Sequence, residues 1–269
     1  MSVLVVTGTG TGVGKTVVTA ALAALALAEG RRVAVLKPAQ TGLAPGEPGD
    51  VHEVQRLVGP RLGSAERLTA VELARFPEPL APATAATRAG MSPVTPGEVV
   101  AEARELAARH DLVLVEGAGG LLVRLDDKAT LADVALALDA PVLVVATAGL
   151  GSLNHTALTT EVLAARGLRC AGVVVGNWPR QPDLAAECNL VDLPLVSGAP
   201  LLGRLPAGAA RLDPEAFLAA ARDGFGAAMS RTAPLMPAQD QVGDDPDDPD
   251  GTEDPDDAGW AGLGVSDLT

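Results

Sequence analysis

Residues 8–16 read Gly8-Thr9-Gly10-Thr11-Gly12-Val13-Gly14-Lys15-Thr16. The apolar run Val3-Leu4-Val5-Val6 stands before them and an Ala- and Leu-rich stretch over 17–28 follows. A strand, a glycine loop and a helix start, in that order, make an anion site. Glycines let backbone N–H groups curl around a phosphate, and the helix N-terminus adds partial positive charge. Gly12, Val13, Gly14, Lys15, Thr16 and Val17 are the expected nucleotide cradle. Lys15 is placed to reach β- and γ-phosphates, and the Thr16 hydroxyl to hold Mg²⁺. The spacing departs from the usual pattern, because five residues rather than four separate Gly8 from Gly14 and position 9 is Thr. A plain glycine turn would not require Gly-Lys-Thr at the start of the helix.

The rest of the chain supplies a sheet for that loop. Its 269 residues suffice for one large α/β domain, and 48% of them are hydrophobic while only 2% are aromatic, so the core is aliphatic. Runs such as Leu112-Val113-Leu114-Val115 and Val142-Leu143-Val144-Val145 suit strands buried on both faces of a parallel sheet. Strands are expected near 2–7, 33–37, 111–116, 141–147, 171–176 and 201–204. Helices are expected over 14–29, 50–58, 96–109, 130–138, 154–166 and 214–229, with Pro96 at a helix start and Gly30 and Gly167 at helix ends. Residues 59–95, which carry Pro60, Pro77, Pro79, Pro82 and Pro93, read as irregular. The alternation predicts a P-loop NTPase-like, doubly wound, mostly parallel sheet flanked by helices, with its ligand at the carboxyl ends of the strands.

Charge divides the chain in two. All 20 Lys and Arg lie in residues 1–231 beside 23 acids, whereas residues 232–269 hold 11 acids and no base. The first segment is expected to be the folded domain, and the second a solvated acidic tail rich in Pro and Gly. Trp260-Ala261-Gly262-Leu263 leaves open a return of the chain end to the domain. No basic face is expected, so nucleic acid is not an expected partner. Cys170 and Cys188 are too few for a disulfide scaffold and read as small apolar residues; His52 and His110 read as surface residues. No leader pattern opens the chain and no apolar run is long enough to span a bilayer, so a cytoplasmic location without membrane contact is expected.

Three further segments carry polar groups at expected strand ends. Lys37-Pro38-Ala39-Gln40-Thr41-Gly42 places a lysine where it can neutralise a transferring phosphoryl group; it also fits an ordinary surface lysine. Val115-Glu116-Gly117-Ala118-Gly119-Gly120 puts a carboxylate behind four apolar residues, where burial demands a cation or donors unless it turns outward. Asp50 suits a second metal carboxylate and equally a helix N-cap. Gly149-Leu150-Gly151-Ser152-Leu153-Asn154-His155-Thr156 joins a strand to a helix and offers either free N–H groups for a carboxylate or a capped glycine loop. No Ser-His-Asp arrangement with a nucleophile elbow is present, and His155 has no partner at metal-ligand spacing.

Together these motifs, over roughly 2–229, resemble the dethiobiotin synthetase family, and most of all its actinobacterial form, given Leu205-Pro206-Ala207-Gly208. The resemblance implies a homodimer, its active site at the subunit interface, that converts 7,8-diaminononanoate, CO₂ and ATP into dethiobiotin, ADP and phosphate with Mg²⁺. It implies that Lys37 and Lys15 are catalytic and that Thr16, Asp50 and Glu116 hold the metal. Gly117, Ala118 and Gly119 join the nucleotide site by the same likeness. Gly176, Asn177, Leu205, Pro206 and Ala207 correspond to the nucleobase pocket. Thr11 and Thr41 match substrate contacts, and Gly151, Ser152, Leu153 and Asn154 match a carboxylate-binding turn reaching across the dimer. Gly10 and Gly12 replace acids common in other members, and the acidic tail lies outside the family pattern.

Two rival classes share the loop. A partition-type ATPase carries a signature lysine five residues before the loop lysine, a position held here by Gly10. A cobyrinate-type amidating ligase needs a glutaminase domain with a reactive cysteine, which residues 232–269 cannot supply.

Overall fold

The apolar runs pair into one parallel sheet. A computed structural model describes residues 3–226, so the expected tail at 232–269 and the end of the helix expected over 214–229 lie outside the described residues. The strands are β1 (Val3–Gly8), β2 (Val33–Thr41), β3 (Leu68–Phe76), β4 (Leu112–Gly120), β5 (Val142–Ala146), β6 (Cys170–Trp178) and β7 (Leu201–Pro206). Their spatial order is β3-β2-β4-β1-β5-β6-β7, and every neighbouring pair is parallel. The helices are α1 (Lys15–Ala28), α2 (Asp50–Leu62), α3 (Pro82–Ala89), α4 (Pro96–Arg109), α5 (Leu131–Ala137), α6 (Ser152–Ala165), α7 (Leu184–Ser197) and α8 (Pro214–Phe225).

Helices cover both faces, which is why the central strands are apolar at nearly every position. One core layer packs α1, α2 and α8 on the sheet through residues such as Leu22, Leu57 and Phe217. The other packs α3, α4 and α5 through Ala85, Leu106 and Val134. Helix α1 is buried almost all round, and its alanines let it approach the sheet closely. Thr95 and Glu98 cap α4 reciprocally, a device that contributes about 1 kcal/mol, with Pro96 in the first turn as expected. Strand β1 sits between β4 and β5. Its own connection runs through α1 to β2 on one side, while β4 connects through α5 to β5 on the other, and this switch opens a crevice at the carboxyl ends of the central strands.

Residues 59–95 are not irregular throughout: they hold β3 and α3. Strand β3 is an edge strand whose interior residues are only partly buried, so it tolerates Glu72 and Arg75 and shows no apolar run. Helix α7 was not expected either; its acids, Asn189 and Pro194 blur any periodicity. His110 is buried rather than exposed, its ring bridging the Leu106 carbonyl and the Thr69 hydroxyl. Cys188 is exposed, while Cys170 packs partly against the core. Helix α6 begins two residues earlier than expected, at Ser152. Among the described residues no helix is long and apolar enough to cross a membrane.

Candidate active site

The glycine loop runs from the end of β1 into α1. Gly12 and Gly14 have φ of +75° and +97°, a left-handed backbone that strains any other residue. At Gly14 a Cβ would also stand 2.6 Å from the Gly176 carbonyl oxygen, and at Gly176 it would collide with the Val13 carbonyl. The end of β6 is thereby pressed against the loop, backbone to backbone. The Lys15 ammonium folds back to donate to the Gly10 carbonyl at 2.9 Å. Burial lowers the Lys15 pKa to about 8, helped by the nearby Lys37 charge and opposed by Glu116 and Asp50.

Below the loop, four side chains from four elements converge. Lys37 Nζ of β2 lies 2.5 Å from Asp50 Oδ2 at the start of α2 and 2.9 Å from Glu116 Oε1 of β4. Lys37 also donates to the Gly117 carbonyl at 3.2 Å, and the Thr16 hydroxyl donates to Glu116 Oε1 at 2.8 Å. Burial disfavours the Lys37 charge, yet Glu116 and Asp50 outweigh it and hold the pKa above the ordinary lysine value. Asp50 is not the N-cap, a position held by Gly49; its carboxylate is free to face the cleft. Glu116 is 1% exposed, and its Oε2 is buried without a hydrogen-bond partner. A hydroxyl and two carboxylates beside an unpaired carboxylate oxygen form a hard-oxygen donor set, so Thr16, Asp50 and Glu116 fit Mg²⁺.

A cavity of about 740 Å³ opens over this cluster. Of the residues expected at the site, it is lined by Thr11, Gly12, Gly14, Lys15, Thr16, Val17, Lys37, Thr41, Asp50, Glu116, Ala118 and Gly119. Val13, although in the loop, points into the core. Gly117 is buried, and a Cβ there would strike Leu131. Asn177 and Pro206 are exposed and Ala207 is half-buried, whereas Leu205 is buried in the core. Gly151, Ser152, Leu153 and Asn154 form the first turn of α6 and its cap, away from the cavity lining. Ser152 is spent internally, donating to the Thr147 carbonyl at 2.6 Å, and Asn154 is exposed.

The cavity also draws on Gln40, Pro79, Leu80, Ala81, Pro82 and Val123, to which sequence reasoning gave no role. Gln40 stood inside a motif already singled out. The prolines at 79 and 82 were visible only as signs of irregular chain, although they shape the wall between β3 and α3.

Fold and phosphate loop define the class as a P-loop NTPase. The family model described as AAA domain matches residues 2–215, and the cell division ATPase MinD of Pyrococcus furiosus shares the fold at 21% identity, with a TM-score of 0.51 over 83% of this chain and 98% of that one. The ATP-dependent dethiobiotin synthetase BioD of Saccharopolyspora erythraea is 69% identical, over 85% of this chain and 97% of that protein. Its counterpart in Streptomyces coelicolor is 64% identical over 82% and 90%. The chain belongs to the dethiobiotin synthetase family.

Proposed function

We propose that the chain is an ATP-dependent ligase that builds dethiobiotin from 7,8-diaminononanoate and CO₂, acting in the cytoplasm as a homodimer. One substrate amine adds to CO₂ and loses a proton, giving a carbamate. A carbamate oxygen then attacks the γ-phosphorus of ATP, the bond to ADP breaks, and a carbamic–phosphoric mixed anhydride results. The neighbouring amine attacks its carbonyl carbon and gives up a proton, the bond to phosphate breaks, phosphate departs with that proton, and the ureido ring closes. Every step creates or shifts anionic charge on oxygen, so fixed cations and positioned donors can supply the catalysis.

The observation that carries this reading is the convergence of Lys15, Lys37, Thr16, Asp50 and Glu116 on one cavity. Lys37, held as an ammonium by two carboxylates, stabilises the carbamate and the transferring phosphoryl rather than serving as a base. Lys15 turns from the Gly10 carbonyl to the γ-phosphate, whose negative charge offsets the burial that lowers the lysine's pKa. Thr16, Asp50 and Glu116 would hold Mg²⁺, which when bound offsets charge on the phosphates. Thr11 and Thr41 border the cavity and suit contacts to the diamine. The base would rest on Gly176-Asn177 and the backbone of 205–207, beside the loop that Gly176 touches. The turn 151–154 would serve the neighbouring subunit's substrate. No residue need form a covalent intermediate.

A phosphate-release assay with diaminononanoate and bicarbonate, run with ATP, CTP and GTP, tests this reading. Phosphate release that requires both the diamine and bicarbonate is expected; release indifferent to the diamine would sink it.

A further inference from the structure

Of the three expected metal-holding residues, Glu116 lies within β4 and Thr16 in the first turn of α1, straight after the phosphate loop. Asp50 is the first residue of α2 and follows the connection 42–49, which carries left-handed glycines at 42 and 46 and mostly exposed residues, so contacts from neighbouring strands set where that helix start lies.

That constraint comes from two strands. Gln40 of β2 is 6% exposed, and its side-chain carbonyl accepts the Asp50 backbone N–H at 2.8 Å. Arg75 of β3 is gripped by Glu72 through both carboxylate oxygens, at 2.6 and 2.9 Å. Its remaining nitrogen, Nη1, donates to the carbonyls of Ala44 (3.2 Å) and Glu47. Gly49 lies between these groups: a Cβ there would stand 2.8 Å from Arg75 Nη2, 2.9 Å from Gln40 Oε1 and 3.0 Å from Glu72 Oε2. Its φ of −98° needs no glycine, so the residue is small for want of space. The loop is thus drawn onto a polar clamp whose last bond fixes Asp50 itself.

We propose that Gln40 and Arg75 are positioning residues: by clamping the connection before α2 they set Asp50 over Lys37 and thereby set how tightly the site holds magnesium with its nucleotide. This rests on Asp50 being a metal-holding residue, as the proposed function has it. Partners that orient a ligating carboxylate typically govern its metal affinity by 10–100-fold, roughly. Arg75 reaches the cavity only through the loop, which separates its effect from substrate contact.

The experiment is calorimetric titration of MgCl₂ into the full-length protein saturated with ADP, with melting temperature recorded alongside. Arg75→Ala and Gln40→Met should each raise the half-saturating magnesium about tenfold, by the same outer-partner reasoning, and leave ADP affinity in EDTA unmoved. Arg75→Lys, which keeps charge but loses the fork, should recover part of the shift. In an Asp50→Asn background Arg75→Ala should add nothing. Magnesium dependence within twofold of the parent protein in folded Arg75→Ala and Gln40→Met, or a shift that persists in the Asp50→Asn background, would overturn the proposal. The readout needs no turnover, so an inactive parent protein would refute the proposed reaction while the clamp is still judged by binding.

Discussion

Lys37 and Glu116 meet 2.9 Å apart across neighbouring strands, both shielded from water. Their backbones are brought side by side by the register that pairs Leu36 of β2 with Val115 of β4. A buried ion pair is a weak stabiliser, because desolvating both charges offsets most of their attraction. Its place beneath the phosphate loop therefore points to chemistry, and the two residues give separable predictions.

Under the proposed function, Lys37→Ala removes a cation aimed at charge that develops during phosphoryl transfer. Phosphate release should fall by about 10²–10³-fold, the usual effect of deleting one preorganised donor. Nucleotide affinity should persist, since the loop backbone and Lys15 remain. Turnover equal to the parent protein's, measured by phosphate release, would remove Lys37 from the mechanism.

Glu116→Leu leaves Lys37 with Asp50 and the Gly117 carbonyl, and Lys37→Met leaves Glu116 buried with the Thr16 hydroxyl but no ion-pair partner in contact. Each single change should cost about 3–5 kcal/mol in urea unfolding. The double variant should regain much of that loss, because an apolar pair needs no desolvation. Additive losses would show that the two residues are not energetically coupled and that the ion-pair account of the single losses is wrong.

Gly176→Ala tests the seam between β6 and the phosphate loop. The new methyl would overlap the Val13 carbonyl, and a backbone neighbour cannot swing aside. The loop should be displaced, costing about 1–3 kcal/mol in stability together with weaker nucleotide binding. ADP affinity and melting temperature both unchanged would mean that the seam is looser than its geometry.

The legibility of this chain follows from burial. Strands β1, β4 and β5, covered on both faces, have to be continuous apolar runs, and the loop after β1 has to be glycine-rich to turn, so both could be read directly. Strand β3 could not: as an edge strand it spends Glu72 and Arg75 on a polar clamp, and those charges disguise it. Helix α7 was hidden because Asn189 faces inward to hold the Ala148 and Gly149 carbonyls, a tertiary contact that no period records. At the site, Lys15, Thr16, Lys37, Asp50 and Glu116 were legible as chemistry on expected strand or helix ends. Gln40 was not, since a buried amide that accepts one distant N–H looks like any loop residue until the chain is folded.

Acid sensitivity should follow three carboxylates that accept backbone N–H bonds. Asp111 accepts from Arg32 N at 2.7 Å, Glu98 from Thr95 N at 2.8 Å and Asp126 from Ala129 N at 2.7 Å, and these bonds lower all three pKa values. A carboxyl whose folded pKa lies below its unfolded value gives its full stabilisation above the unfolded pKa. It loses that stabilisation as pH falls through the folded pKa. The melting temperature should therefore hold from pH 7 to about 5 and decline below about 4, where unfolded Asp and Glu begin to bind protons that the folded groups refuse. Asp111→Asn keeps the shape and one acceptor oxygen but cannot titrate, so its melting temperature should start lower at pH 7 and converge on the parent's at a pH below about 3.9, the unfolded Asp value. Parallel curves for the two proteins down to that pH would show that the bridge from Asp111 to Arg32 contributes nothing through its charge.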